Sequence, residues 1–279
     1  MEDKDIFLKL MTWPEIQNRL TKTDIALLPV GQTEQHSTHL PIDVDNIIST
    51  GLAKRVAIET YDTAMPVVAP AIPFGYSNIP FFRDYPGVFS LSPDTLVGVY
   101  EDVALSLIRM GFKKIIFING HAPNPPFIQE AMRRVTKETN AFLAMCNFFQ
   151  IPNKEVATIL EEMDRPPVWG HACLIETSVS HVFGAEVRDG DIREATLGDV
   201  PEELKNFVPA SPEGITLPSF EYEETARVYW PENGSGSKGN PEGYSKEIGE
   251  RVIRATTSPI IELVDSIKDM KVALKDFSK

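Results

Sequence analysis

Four short, nearly continuous apolar runs alternate with segments of helical spacing between residues 24 and 149, and this alternation limits the fold more than any other feature. The runs are "DIALLPVG" (24–31), "AMPVVAPAIPFG" (64–75), "KKIIFI" (113–118) and "AFLAMCNFF" (141–149). Short apolar runs closed by glycine, proline or a polar turn read as strands buried on both faces. Prolines in the second run put its end at a sheet edge or in a loop. Between the runs, residues 45–60, 93–110 and 125–140 have helical spacing, and Gly111 stops the second of these. An earlier helix opens at "TWPEIQNRL", where Thr12, Pro14 and Glu15 form the start of a capping box. Strand and helix in alternation predict an α/β fold, a mainly parallel sheet with helices on both faces.

The remainder is less patterned. "PVWGHACLIETSVSHVFG" (167–184) opens as a loop and continues as a helix, and a last helix is expected from about Pro241 to Ala255. Residues 185–230 are acidic and loop-rich, and the aromatic stretch at 76–93 reads either as a pocket wall or as a self-packed loop. Neither an internal repeat nor a long linker divides the chain, so residues 1–279 are expected to form a single domain.

Composition excludes several classes of function. The formal net charge of −13 and a pI near 4.9 argue against a general nucleic-acid binder, which needs clustered Lys and Arg on phosphates. No run of roughly 18 apolar residues offers a membrane span. The N-terminus lacks a basic stretch followed by an apolar one, so a cytoplasmic protein is expected. Two cysteines, Cys146 and Cys173, suit free thiols better than a disulfide framework.

The chemistry concentrates in "GQTEQHSTHLPIDVD" (31–45), which holds two of the five histidines among carboxylates. In open parallel sheets the ligand site lies beyond the carboxyl ends of the strands. Glu34, His36 and Asp45 follow the first run, and His121 follows the third in "NGHAPN", so all four point to one sheet edge. Neutral imidazoles and carboxylates are the ligand set of Zn²⁺, Mn²⁺ or Fe²⁺, and Asp45 could curl back to bridge two ions. The plainer alternative is a polar loop, since a lone histidine is more often a hydrogen-bonded structural group. His181 stays in that class, and His39 reads as a support or substrate contact. A Ser178–His181 hydrolase pair is weak without a G-x-S-x-G elbow, and Cys173 beside His171 is not activated by adjacency alone. The "GSGSKG" turn (234–239) lacks phosphate-loop spacing and reads as flexible.

Taken together, "LLPVGQTEQHSTHLPIDVD", "NGHAPN" and "HACLIETS" resemble the motifs of the creatininase (creatinine amidohydrolase) family, in the same order across roughly residues 10–255. "YPGVFSLSPDTL" and "SGSKGNP" resemble two further segments of that family. The resemblance implies a three-layer α/β/α, creatininase-like fold and a metal-dependent hydrolase with two divalent ions, Zn and/or Mn, assembled as a homo-oligomer, usually a hexamer. It implies that Glu34, Asp45 and His121 hold one ion and that His36 and Asp45 hold the other. Creatininase itself uses a glutamate two residues after the N-G-H histidine. Pro123 stands there in this chain, and the resemblance offers Glu176 of E-T-S as the substitute. His171 matches a histidine that moves protons near the leaving group. The implied reaction is attack of a metal-bound hydroxide on a carbonyl of a small polar cyclic amide. The alternatives are ring opening at a C–C bond of an inositol-derived diketone, or a non-catalytic metal-stabilised subunit. Ser37, "APN", Cys173 and Leu174 depart from the family pattern and alter the pocket beside the metals.

Overall fold

The computed structural model describes residues 2–77, 85–166, 170–193 and 235–276. Its centre is a parallel sheet of β1 (Ile25–Val30), β2 (Val67–Val68), β3 (Lys114–Asn119) and β4 (Phe142–Asn147), in the order β2-β1-β3-β4. Val30 lies opposite Asn119, and Asn119 opposite Asn147, so three strands end level with one another.

Alternate strand residues divide the core into two. Leu27, Ile116 and Ile118 pack towards α2 (Val44–Glu59), α5 (Asn153–Glu162), α6 (Leu174–Val182) and α7 (Lys246–Ile267). Ala26, Leu28, Ile115 and Phe117 pack on the other face against α3 (Pro93–Met110) and α4 (Pro125–Thr139). This is the three-layer α/β/α arrangement that the sequence pattern implies. Each fully buried Leu or Ile contributes about 1.5–3 kcal/mol relative to exposure, which is why the continuous apolar runs take the middle layer. The short helix α1 (Trp13–Arg19) begins as the sequence predicts, with the Thr12 N–H and Oγ1 both donating to Glu15 Oε2 at 2.6 Å.

Three segments differ from the sequence reading. The run at 64–75 yields only a two-residue edge strand, because Pro66, Pro70 and Pro73 offer no N–H to a ladder. Helix α5 has no counterpart among the sequence assignments; it buries Val156, Ile159 and Leu160 at i, i+3 and i+4. The last helix starts later and runs further than expected. Ser245 caps it, Oγ accepting from Ile248 N at 3.2 Å, and it continues through Pro259 because Ile260, Val264 and Ile267 lie buried beyond that residue. Most of the loop-rich stretch 185–230 and part of the aromatic stretch lie outside the described residues. Among the described residues no helix is long and apolar enough to cross a membrane.

The topology decides where a site can form. From the end of β1 the chain enters α2 on one face; from the end of β3 it enters α4 on the other. Adjacent strands whose connections leave in opposite directions open a crevice at their carboxyl ends.

Candidate metal centre

The loop after β1 carries Glu34 and His36 into that crevice, and Asp45 follows in the first turn of α2. His121 lies two residues beyond β3. Glu176 projects from the first turn of α6, and His171 from the loop preceding it. Close approach of these segments requires Gly120, where a Cβ would lie 2.4 Å from the Asp45 carbonyl oxygen. Asn124 ties the turn together: its Nδ2 donates to Gly31 O at 3.0 Å, and its Oδ1 accepts from Tyr76 N at 3.2 Å.

All six side chains anticipated from the sequence converge, and none is more than 7% exposed. His36 Nε2 lies 3.2 Å from Asp45 Oδ1, and His121 Nδ1 lies 2.8 Å from Asp45 Oδ2. Glu34 Oε1 is 3.5 Å from His121 Nδ1 and 3.6 Å from His171 Nδ1. The His36 and His171 rings stack with centroids 4.2 Å apart. Three sets of potential ligand atoms each fall within 4.8 Å of one another: Glu34–Asp45–His121, His36–Asp45–Glu176 and Glu34–His36–His171. Asp45 belongs to two of these sets, one oxygen towards each neighbouring histidine.

Every histidine of the cluster has one ring nitrogen engaged by a main-chain carbonyl. His36 Nδ1 faces Glu34 O at 3.1 Å, His121 Nε2 faces Tyr76 O at 2.9 Å, and His171 Nε2 faces Gln35 O at 2.6 Å. A carbonyl only accepts, so each of these nitrogens carries a proton, and whenever the ring is neutral the other nitrogen presents its lone pair to the carboxylates. Buried lone pairs facing carboxylate oxygens repel unless a cation lies among them. His36 Nε2 and Asp45 Oδ2 are buried without a hydrogen-bond partner. The donor set therefore fits a divalent cation.

Electrostatics agree with that fit. Burial disfavours charge on His36, yet the adjacent Asp45 carboxylate, helped by Glu176 and Glu34, lifts it to about 10. His121 is raised against burial to about 9, by Glu34 and then Asp45. Burial works against ionisation of Asp45 too, but His36 and His121 hold it well below the usual carboxylate range. Glu176 is pushed up to about 8 by burial and then by Asp45 and Glu34, although His36 opposes the rise. His171 moves the other way, well below its ordinary value, through burial and the charge on His36. Without a metal, protons on His36 and His121 offset the carboxylates; a divalent ion would take their place.

Ser77 is a supporting residue that the sequence reading did not single out. Its hydroxyl donates to Glu34 Oε2, which leaves Oε1 facing His121 and His171. His39 is buried outside the three ligand sets, its Nε2 3.1 Å from Thr177 Oγ1, and so braces the start of α6. His181 stacks edge-on against Tyr244 in the last turn of α6. Ser178 Oγ accepts from Ser245 N at 3.2 Å, a contact between helices. Both cysteines are free and buried, and burial raises each thiol to about 11. A separate cavity of about 620 Å³ opens at the opposite sheet edge beside Lys22, Lys113 and Lys114, far from this chemistry.

A creatininase family profile, described as creatinine amidohydrolase, matches residues 9–264. The creatinine amidohydrolase of Pseudomonas putida is 32% identical over 139 residues, covering 48% of this chain and 52% of that protein. The 3-dehydro-scyllo-inosose hydrolase of Thermotoga maritima is 31% identical over 117 residues, covering 42% of this chain and 36% of that protein. The chain thus aligns with about half, or less, of the length of these curated relatives. A solved manganese creatininase superimposes with a TM-score of 0.74 at 21% identity, covering 95% of this chain and 100% of the other, which establishes the shared fold.

Proposed function

The chain belongs to the creatininase family, and on that premise we propose that it is a metal-dependent hydrolase acting at a carbonyl carbon of a small polar, cyclic amide-type substrate. The carrying observation is Asp45, buried and shared between two sets of ligand atoms. Glu34, Asp45 and His121 would hold one divalent ion, and His36, Asp45 and Glu176 a second. Zinc or manganese bound there would polarise a carbonyl and lower the pKa of water towards neutrality. Asp45, held ionised between His36 and His121, supplies the charge that a divalent ion would share, and the backbone-tied imidazoles would aim their lone pairs at it without rearrangement.

His171 supplies proton transfer. Its depressed basicity leaves Nδ1 unprotonated at neutral pH, 3.6 Å from Glu34 Oε1. Nδ1 accepts a proton as water adds to the carbonyl and returns it to the leaving nitrogen, while the Nε2–H bond to Gln35 O keeps the ring from turning. Such transfer contributes about 10²–10⁴-fold to a rate. Similarity to the inosose hydrolase favours a second reading, in which the leaving atom is carbon and the substrate a cyclic diketone. With either reaction, the proposal includes a homo-oligomer, a hexamer, in the cytoplasm.

Elemental analysis of the purified protein beside Asp45→Ala tests the site. Close to two zinc or manganese ions per chain are expected, with both lost in the variant, and turnover of a cyclic amide or a cyclic 1,3-diketone decides between the two reactions. One ion retained in the variant would exclude Asp45 as the shared ligand. Two ions held without turnover would favour the non-catalytic, metal-stabilised alternative, and no metal after reconstitution would exclude the metal site in either reading.

A further inference from the structure

The turn at residues 235–239, which its composition presents as flexible, is built into the wall of the site. Ser235 and Ser237 are buried, their hydroxyls 2.9 Å apart. Gly236 has φ +68°, and a Cβ there would lie 2.3 Å from Gln35 Oε1. Three hydrogen bonds close a ring through distant parts of the chain. Gln35 Nε2 donates to Gly236 O at 2.8 Å, Lys238 N donates to His171 O at 2.8 Å, and His171 Nε2 donates to Gln35 O at 2.6 Å. The Gln35 side chain also accepts from Ser37 N at 2.8 Å through Oε1. One side chain must therefore donate and accept at once, from a position between Glu34 and His36. An amide of glutamine length does both; a carboxylate only accepts.

We propose that Gln35 is a positioning residue: its side chain latches the 235–239 turn onto His171 and so holds the imidazole with Nδ1 towards Glu34. The role rests on His171 as the proton carrier described above. Loss of the latch frees the turn, releases the Lys238 N–H from the His171 carbonyl and lets the ring reorient, while every proposed metal ligand stays in place.

The test uses full-length, zinc-loaded protein labelled with ¹⁵N-histidine. Long-range ¹H–¹⁵N correlation reads the His171 tautomer, assigned by the resonance missing from His171→Asn. In the unsubstituted protein a single Nε2–H tautomer is expected. Gln35→Met, which removes both donor and acceptor, should keep its zinc and yield a mixed tautomer. Gln35→Glu, a milder change that keeps the acceptor for Ser37, should do the same. Gly236→Ala should reproduce the effect, and in Gln35→Ala/Gly236→Ala the two changes should be non-additive, since the methyl enters vacated space. Where a substrate is turned over, kcat should fall by about 10²-fold with little change in KM. An unchanged His171 tautomer in both Gln35 variants, or strict additivity in the double variant, would overturn the proposal. The tautomer is read without substrate. Tautomer loss with no hydrolysis by the unsubstituted protein would uphold the latch and reject the hydrolase. Hydrolysis with an unaltered tautomer would do the reverse.

Discussion

Ser37 holds the loop between two potential ligands in a conformation that L-residues avoid. Its φ is +61°, its N–H bonds Gln35 Oε1, and its hydroxyl is buried without a partner. The resembling family carries glycine there. Ser37→Gly should raise stability by about 1 kcal/mol, seen as a higher thermal midpoint, because it removes the left-handed strain at a serine Cβ. A lower midpoint would mean that the hydroxyl contributes more than the strain costs. At this scale the sequence was legible in side chains and blind to the main chain. Residue type and strand-end position marked Glu34, His36, Asp45 and His121, and motif resemblance added His171 and Glu176. The carbonyls of Glu34, Gln35 and Tyr76 that aim the rings leave no trace in residue identity. Ser77 sat in an aromatic stretch whose placement needed the fold.

Helix α7 teaches the same lesson at the next scale. Its polar beginning and internal Pro259 hide a buried stripe of Val252, Ile253, Ile260 and Val264. Tertiary burial, rather than local propensity, carries the helix past the proline. Strands β1, β3 and β4 and helices α2–α4 were legible because apolar runs, glycine stops and prolines in the first turn coincide there. The two-residue β2 and the unassigned α5 were not, the first for want of N–H groups and the second because its three buried residues are too few to stand out. The start of α7 depends on Ser245, whose hydroxyl accepts from Ile248 N and whose own N–H donates to Ser178 Oγ. Ser245→Ala should cost about 1 kcal/mol in urea unfolding. Metal content should stay unchanged, since the cap lies outside the ligand cluster; metal loss would mean that α7 registers α6 and with it Glu176.

For the molecule as a whole, metal uptake and protonation are linked. His36 and His121 rise from the ordinary histidine value of 6.5 to about 10 and about 9. A raised folded-state value contributes stability that is complete below about 6.5 and lost as pH climbs through about 9–10. The metal-free protein should therefore weaken on the alkaline side, while metal affinity should increase with pH because bound imidazoles must be neutral. Calorimetric titration with zinc at pH 7, in buffers of different ionisation enthalpy, should report release of more than two protons, one from each of these rings and a further share from Glu176, which is held up at about 8. No buffer dependence would mean that the imidazoles are already neutral. The carbonyls that orient the three rings bear on how such a protein can change over generations. Any residue offers the same main-chain oxygen, so substitutions around the pocket that spare the Gln35 latch leave the aim of the imidazoles intact. On the proposed reading, exchange of Ser37, Ala122, Pro123, Cys173 or Leu174 removes neither a ligand side chain nor a carbonyl that aims a ring, so a lineage could inherit the cluster while its reaction changes.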